Sequence, residues 1–422
     1  MPKFYTEFDE GLGIDVRDRV CLQIGSPGPH CLREVAKIMK EATVEHFSDS
    51  NPRNEEILQY GCCGGNYDLK EELVKFLSSN YRNPVEIEDI FMHNGVSQGL
   101  ANILYHYFQR GETLFVEDPT YWNLLTDFNT GNSSFKMNAV GVGLDENGIK
   151  LTELEEHLKK LEAPEISERY PYKAALYIIP VHQNPSGTIL SQDRCAKLIK
   201  LARKYDLLVI TDDVYSVMTY SAPDSDDPTK AKPPNRLFWH DKKSDPDYKG
   251  NVVSASSFSK LVAPGLRLGW FEMSKKMYQT FATFFVTDSG SGWNPYTSGI
   301  LAQAFKLGLI QEHVKKIRRE YWRLFNRVHD LVNDRLKRYG VYCNLPKGGL
   351  FMWITLPQGF STTKLLENCV EELTFIPGKR CSVSGNHDNC LRLAVAFYEE
   401  GVLFPAVSKL CDYIEKLVTT KD

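Results

Sequence analysis

Ser257-Phe-Ser-Lys260-Leu-Val-Ala-Pro-Gly265-Leu-Arg267-Leu-Gly269 follows directly on the short apolar, β-rich segment Asn251-Val-Val-Ser-Ala-Ser256. The segment reads as a buried strand whose carboxyl end delivers Ser257 and Lys260 to a cleft, since open α/β sheets bind their ligands at that edge. Ser257 brings a hydroxyl and Arg267 a planar cation suited to a bidentate phosphate contact, while Pro264-Gly265 turns the chain so that the arginine points back toward the lysine. A desolvated lysine near cations has a lowered pKa and becomes a nucleophilic amine. The run therefore suits covalent capture of a phosphorylated aldehyde.

Working outward, other apolar segments end in polar or turn residues in the same way. Phe91 and Met92 lead into Asn94-Gly95, Thr113–Val116 into Glu117-Asp-Pro119, Ala174–Ile179 into Pro180, and Leu207–Ile210 into Thr211-Asp212. Strands alternating with helical patterns predict an α/β fold with a mostly parallel central sheet flanked by helices and functional residues where the strands stop. Val314, Ile317, Tyr321, Leu324, Val328 and Leu331 recur at steps of three and four, predicting a long amphipathic helix. Pro223–Asp247, rich in Pro, Asp and Lys, is expected to be a solvated excursion between two strands.

Three more loops carry polar groups at strand ends. In Val181-His182-Gln183-Asn184-Pro185-Ser186-Gly187, Pro185 and Gly187 stop both helix and sheet, so the Asn184 amide is presented to the enclosed space; His182 reads as a packing residue without a partner. Asp118-Pro-Thr-Tyr121-Trp122 places two aromatic rings after a strand. Asn94-Gly95-Val96-Ser97 opens a helical pattern, so the free amides of Val96 and Ser97 form a phosphate seat.

Taken together, these segments resemble the class I/II aminotransferases, the fold type I enzymes that use pyridoxal 5′-phosphate (PLP), and the matches run from about Gly25 to Arg392. The resemblance implies that Lys260 holds the cofactor as a Schiff base and shuttles the substrate proton. It also implies that Asp212 balances the protonated ring nitrogen, with Asp213 as cap or solvated acid. Asn184 and Tyr215 would meet the ring oxygen, and Tyr121, or its neighbour Trp122, would stack on the ring. Ser257, Arg267, Val96 and Ser97 would hold the phosphate, although Val96 stands where the family commonly has a small polar residue. Arg392, in Leu391-Arg-Leu-Ala-Val395, would grip the substrate α-carboxylate, and Gly25, in Leu22-Gln-Ile-Gly25-Ser-Pro-Gly28, would lie in a segment covering the substrate. Tyr60 matches a tyrosine that reaches the phosphate of a neighbouring subunit, which implies a homodimer with shared sites. The implied domains are an N-terminal segment at 1–45 joining the small domain, a large PLP-binding domain at 46–310, and a small α+β C-terminal domain at 311–422.

Composition agrees with such an enzyme. The 422 residues carry a formal net charge of -4 with 42% hydrophobic and 25% charged residues, which suggests no nucleic-acid or membrane partner. Met1–Glu10 lacks the apolar or Arg-rich character of a targeting segment, so a cytoplasmic enzyme is expected. Ten cysteines without a C-x-x-C pair read as reduced thiols and imply no metal site, and Cys62-Cys63 falls beside the expected site. Thr287–Tyr296, near where dicarboxylate-specific members place a second arginine, carries Trp293 and Tyr296 instead, favouring aromatic or 2-aminoadipate-like donors over aspartate. A C–S lyase or a cyclopropane-carboxylate-synthase-like elimination would use the same framework, as would a non-catalytic PLP-binding regulator.

Overall fold

The computed structural model describes residues 19–129, 137–162, 165–225, 227–290 and 292–420. The sequence readings that rest on Met1–Glu10, on Asp226 and on Ser291 lie outside them. In chain order the strands are β1 (Val20–Cys21), β2 (Ile90–His93), β3 (Thr113–Asp118), β4 (Asn138–Asp145), β5 (Gly148–Ile149), β6 (Ala174–Ile178) and β7 (Leu207–Asp212). They continue with β8 (Val252–Ser257), β9 (Gly269–Glu272), β10 (Tyr342–Cys343), β11 (Phe351–Thr355), β12 (Leu373–Thr374), β13 (Ile376–Pro377) and β14 (Cys390–Ala394).

The main sheet has the order β2-β9-β8-β7-β6-β3-β4-β5. Its central pairs, β8 with β7, β7 with β6, β6 with β3 and β3 with β4, are parallel, while β9 is antiparallel to both β2 and β8. Direction decides where the loops collect. The carboxyl ends of β2, β3, β6, β7 and β8 share one edge, and reversed β9 begins there, so the loop carrying Arg267 arrives at the same place.

Side chains alternate across this sheet because successive residues of a strand face opposite ways. Ala175, Tyr177, Ile179, Leu208, Ile210, Val253 and Ala255 belong to one core, packed with helices such as Tyr67–Asn80, Val96–Tyr107 and Pro295–Lys306. Ala174, Leu176, Ile178, Leu207, Val209 and Val252 belong to a second, beneath helices Leu151–Lys160 and Gln192–Tyr205. The latter helix shows why such segments form: Ser191 caps its first turn, Asp193 lies in that turn, and Arg203 and Lys204 lie in the last, complementing the helix dipole.

The expected amphipathic helix is Leu309–Leu336, with Val314, Ile317, Tyr321, Leu324 and Val328 buried. Beyond it a smaller sheet, β10-β11-β14-β13, is antiparallel, and β1 joins β12 beside it, so both ends of the chain contribute to this part. Among the described residues no helix is long and apolar enough to cross a membrane. Pro223–Asp247 departs from expectation. It does connect β7 and β8, but Arg236 and Leu237 are buried, and Asp241, Asp245 and Asp247 fold back onto Arg203. Arg236 pairs with Glu272 of β9 under the ring of Tyr81, so its charges are neutralised inside the protein.

Candidate active site

Lys260 lies just past β8, where its amine donates to the carbonyl oxygen of Gly25 at 2.8 Å. Burial lowers its pKa to about 8 against the pull of Asp212, and Arg392 and Arg267 add to the lowering. An uncharged amine is thus populated near neutral pH without a dedicated base.

Asp212 and Asp213 part ways at the end of β7. Tyr177 donates its hydroxyl to Asp212 Oδ2 at 2.6 Å, while Asp212 Oδ1 is buried with no partner. Burial raises the Asp212 pKa to about 6; the Tyr177 hydrogen bond and the Lys260 charge hold it from rising further. Asp213 turns to the other side of the sheet and accepts from Thr211 at 2.5 Å and Ser254 at 2.6 Å. A cation-seeking carboxylate facing the cleft is therefore Asp212.

Arg392 of β14 reaches the same cleft although it is only 2% exposed. It donates to Asn184 Oδ1 at 3.1 Å and to the Gln23 carbonyl at 2.7 Å, and the ring of Phe351 lies 4.0 Å from its guanidinium carbon. Its Nε is buried without a partner, leaving donors for a carboxylate. Asn184 hydrogen-bonds Tyr215 as well, so amide and phenol converge. The Tyr215 ring meets Phe351 edge-on at 5.9 Å. Burial pushes the phenols of Tyr121 and Tyr215 upward, and the nearby Asp212 adds to both, so both remain protonated donors.

The helix Val96–Tyr107 starts behind Gly95, whose φ of 90° suits glycine. A Cβ there would come within 2.9 Å of Arg267 Nη2, so the missing side chain is what lets the guanidinium rest at this helix N-terminus. Arg267 is itself left-handed, at φ 46°, and Asn294 Nδ2 donates to its carbonyl at 2.7 Å and to Asn94 Oδ1 at 3.1 Å. The exposed Ser97 and the amides of this turn lie beside a cation, a combination made for an anion. Ser257 is buried, and its hydroxyl locks the loop by contacting Ser259 Oγ at 2.9 Å and the Leu268 carbonyl at 3.2 Å.

Tyr60 is 76% exposed on its own chain. Trp122 lies under the Arg380 guanidinium at 4.9 Å, while Tyr121, its hydroxyl accepting from Asn123, is the ring held near Asp212 and Arg392. His182 does have a partner, Thr219 Oγ1 at 2.8 Å, and burial lowers its pKa to about 3. Tyr296 stacks on Phe47 at 6.4 Å. A further group of ligand-type residues, His30, Cys31 and Glu320, forms an ion pair at 2.9 Å between His30 and Glu320. Besides His30, Lys316 and Arg323 act on the same acid and lower its pKa.

Tyr177, Phe351 and Gln23 were not singled out by sequence. Tyr177 had a legible signal: it alternates with Ala175 and Ile179 on one face and pairs with Ile210, two residues before Asp212. Phe351 and Gln23 come from distant segments and have none. The residues gathered here fit PLP: an orphaned buried carboxylate oxygen for a ring cation, an arginine on a helix N-terminus for a phosphate, and a lysine of lowered pKa between them.

The sequence profile of the family Aminotransferase class I and II matches residues 27–410. Among similar proteins, the aromatic-amino-acid aminotransferase 1 of Thermococcus litoralis is 27% identical, with the match covering 96% of this chain and 89% of that protein. The 2-aminoadipate transaminase of Thermus thermophilus is 25% identical over 85% of this chain and 82% of its own. A solved structure, Pyrococcus horikoshii kynurenine aminotransferase in complex with PMP, superposes with a TM-score of 0.78 at 26% identity, covering 99% and 95%.

Proposed function

The chain belongs to the class I and II aminotransferase family, a PLP-dependent enzyme of transamination between an α-amino acid and a 2-oxo acid, and we propose that it works through the Lys260 cleft on an aromatic or 2-aminoadipate-like donor. What carries the reading is the convergence of the Lys260 amine, the unpartnered Asp212 Oδ1 and the Arg392 fork at one sheet edge.

When bound, PLP supplies an aldehyde that condenses with amines and a protonated ring that accepts electrons from the substrate Cα. Lys260 would tether the cofactor, and its free amine would take up the Cα proton and return it, as general base and then acid. Asp212 would keep the ring nitrogen charged, and the Tyr177 hydrogen bond favours ionised Asp212. Asn184 and Tyr215 would donate to the ring oxygen, and Tyr121 would cover the ring face. Arg267, the Val96 and Ser97 amides and the Ser257 hydroxyl would hold the phosphate. Arg392, stacked on the ring of Phe351, would take the α-carboxylate, and the Gly25 segment would cover it.

The donor preference draws on the printed activities of the relatives and on the lack of arginine in Thr287–Tyr296. The division at residues 45 and 310 is retained for the three parts. Exposed Leu58, Tyr60, Tyr67, Phe285 and Val286 support a homodimer in which Tyr60 serves the neighbouring site. Ten free thiols suit a reducing compartment, and the cytoplasm is the proposed location. In the test, Lys260→Ala abolishes the visible absorbance of the bound cofactor and nearly all turnover. Intact yellow protein from that variant sinks the lysine assignment. A donor panel with 2-oxoglutarate sets the substrate, and pyruvate plus ammonia formed without an acceptor would make the enzyme a lyase.

A further inference from the structure

The ladder between β3 and β6 runs from Leu114 opposite Ala175 to Val116 opposite Tyr177 and stops there. The next residue, Glu117, is 3% exposed. Its Oε2 accepts from the Ile179 amide at 2.9 Å and from Gln183 Nε2 at 3.2 Å. The same Gln183 nitrogen donates to the Pro119 carbonyl at 2.7 Å, and Gln183 Oε1 accepts from the Ser186 amide at 2.9 Å and its hydroxyl at 2.7 Å. One carboxyl and one carboxamide thus bridge the two loops just where the strands part. Tyr121 lies two residues past Pro119, and Asn184 adjoins Gln183. No step of the proposed reaction uses Glu117 or Gln183.

Parting the strands opens the crevice that α/β sheets use for ligands, but it leaves the Ile179 N–H without a ladder carbonyl. Glu117 supplies the missing acceptor, and Gln183 extends it to the opposite loop. We propose that Glu117 and Gln183 form a clamp that sets the separation of Tyr121 and Asn184 across the cofactor cleft, Glu117 being a positioning residue; this rests on the cofactor roles assigned above to those two residues. Burial raises the Glu117 pKa to about 8, opposed by the Ile179 and Gln183 hydrogen bonds and with a smaller push from Asp212. A glutamine side-chain oxygen can accept the same two hydrogen bonds.

The test measures the PLP dissociation constant of apoenzyme, hydrogen exchange at the Ile179 amide, and KM and kcat, for Glu117→Ala, Glu117→Gln, Gln183→Ala, the double alanine variant and Asn184→Ala. Glu117→Ala is expected to weaken PLP by about tenfold and speed Ile179 exchange, with Glu117→Gln restoring both to within about threefold. The double variant should lose little more than either single one, since both cut the same bridge. If Glu117→Ala does not fold, Gln183→Ala carries the same expectation for PLP binding. The clamp is overturned if Asn184→Ala weakens PLP while the Glu117 and Gln183 variants do not, or if Glu117→Gln is as impaired as the alanine. If Asn184→Ala also leaves PLP binding unchanged, the cofactor role assigned to Asn184 fails, and the clamp with it.

Discussion

Replacing Tyr177 by phenylalanine removes one hydroxyl from the site and leaves the ring that packs the sheet. Burial puts the Asp212 carboxyl well above its ordinary range, and the 2.6 Å bond from Tyr177 pulls it back to about 6. A hydrogen bond to a charged acceptor contributes about 1.5–3 kcal/mol, and at about 1.4 kcal/mol per pH unit its loss moves the Asp212 pKa up by roughly one to two. The sign follows from the charge: Tyr177 stabilises the carboxylate, so its removal favours the protonated acid. With Asp212 in its proposed role against a charged ring nitrogen, affinity should be full above that pKa and fall as pH drops through it. Wild-type apoenzyme should lose PLP affinity through a midpoint near 6, and Tyr177→Phe through one near 7–8, by the same roughly one-to-two-unit displacement. At pH 7 the variant should bind about two- to tenfold more weakly, and at pH 9 equally well. Fluorescence titration of apoenzyme with PLP from pH 5 to 9 reads both. An unmoved midpoint, or a deficit equal at every pH, would refute an electrostatic role for the hydroxyl and leave only packing.

Asp212→Asn should weaken PLP by at least tenfold while barely changing the melting temperature of apoenzyme, whereas Asp213→Asn should lower that melting temperature and spare affinity, because Asp213 is bonded to Thr211 and Ser254. Thermal unfolding beside titration separates the two acids, and equal effects would undo their assignment. Arg392→Lys should raise KM for amino and oxo acids together by about 10–100-fold, since one ammonium cannot meet Asn184, Gln23 and a carboxylate at once; initial rates check it. Gly95→Ala adds a Cβ 2.9 Å from Arg267 Nη2 at a φ of 90° and should weaken PLP about tenfold, measured by equilibrium dialysis.

Lys260, Asp212, Tyr215 and Asn184 were legible in sequence because each stands at or just past the end of an apolar run whose parallel order brings such ends to one edge, and Arg267 because Pro264-Gly265 turns the chain back toward Lys260. Local pattern also announced the long helix, since its period of three to four is written into adjacent residues. Local pattern alone left Asp212 and Asp213 open; which acid faced the cleft depended on the pleat and on what packed each face, Tyr177 on one side and Ser254 on the other. Arg392, Gln23 and Phe351 meet only because the small sheet and the N-terminal strand fold together, bringing residues more than three hundred positions apart into contact. Pro223–Asp247 failed for a related reason: its charges looked solvated in composition, yet Arg236 and Asp241 found partners inside. What the chain carries in its own order is the chemistry of each strand end, because side-chain type and turn residues are local. Which groups share a charge, a hydrogen bond or a cavity was decided by tertiary packing, because burial and pairing belong to neighbours that the order of residues does not name.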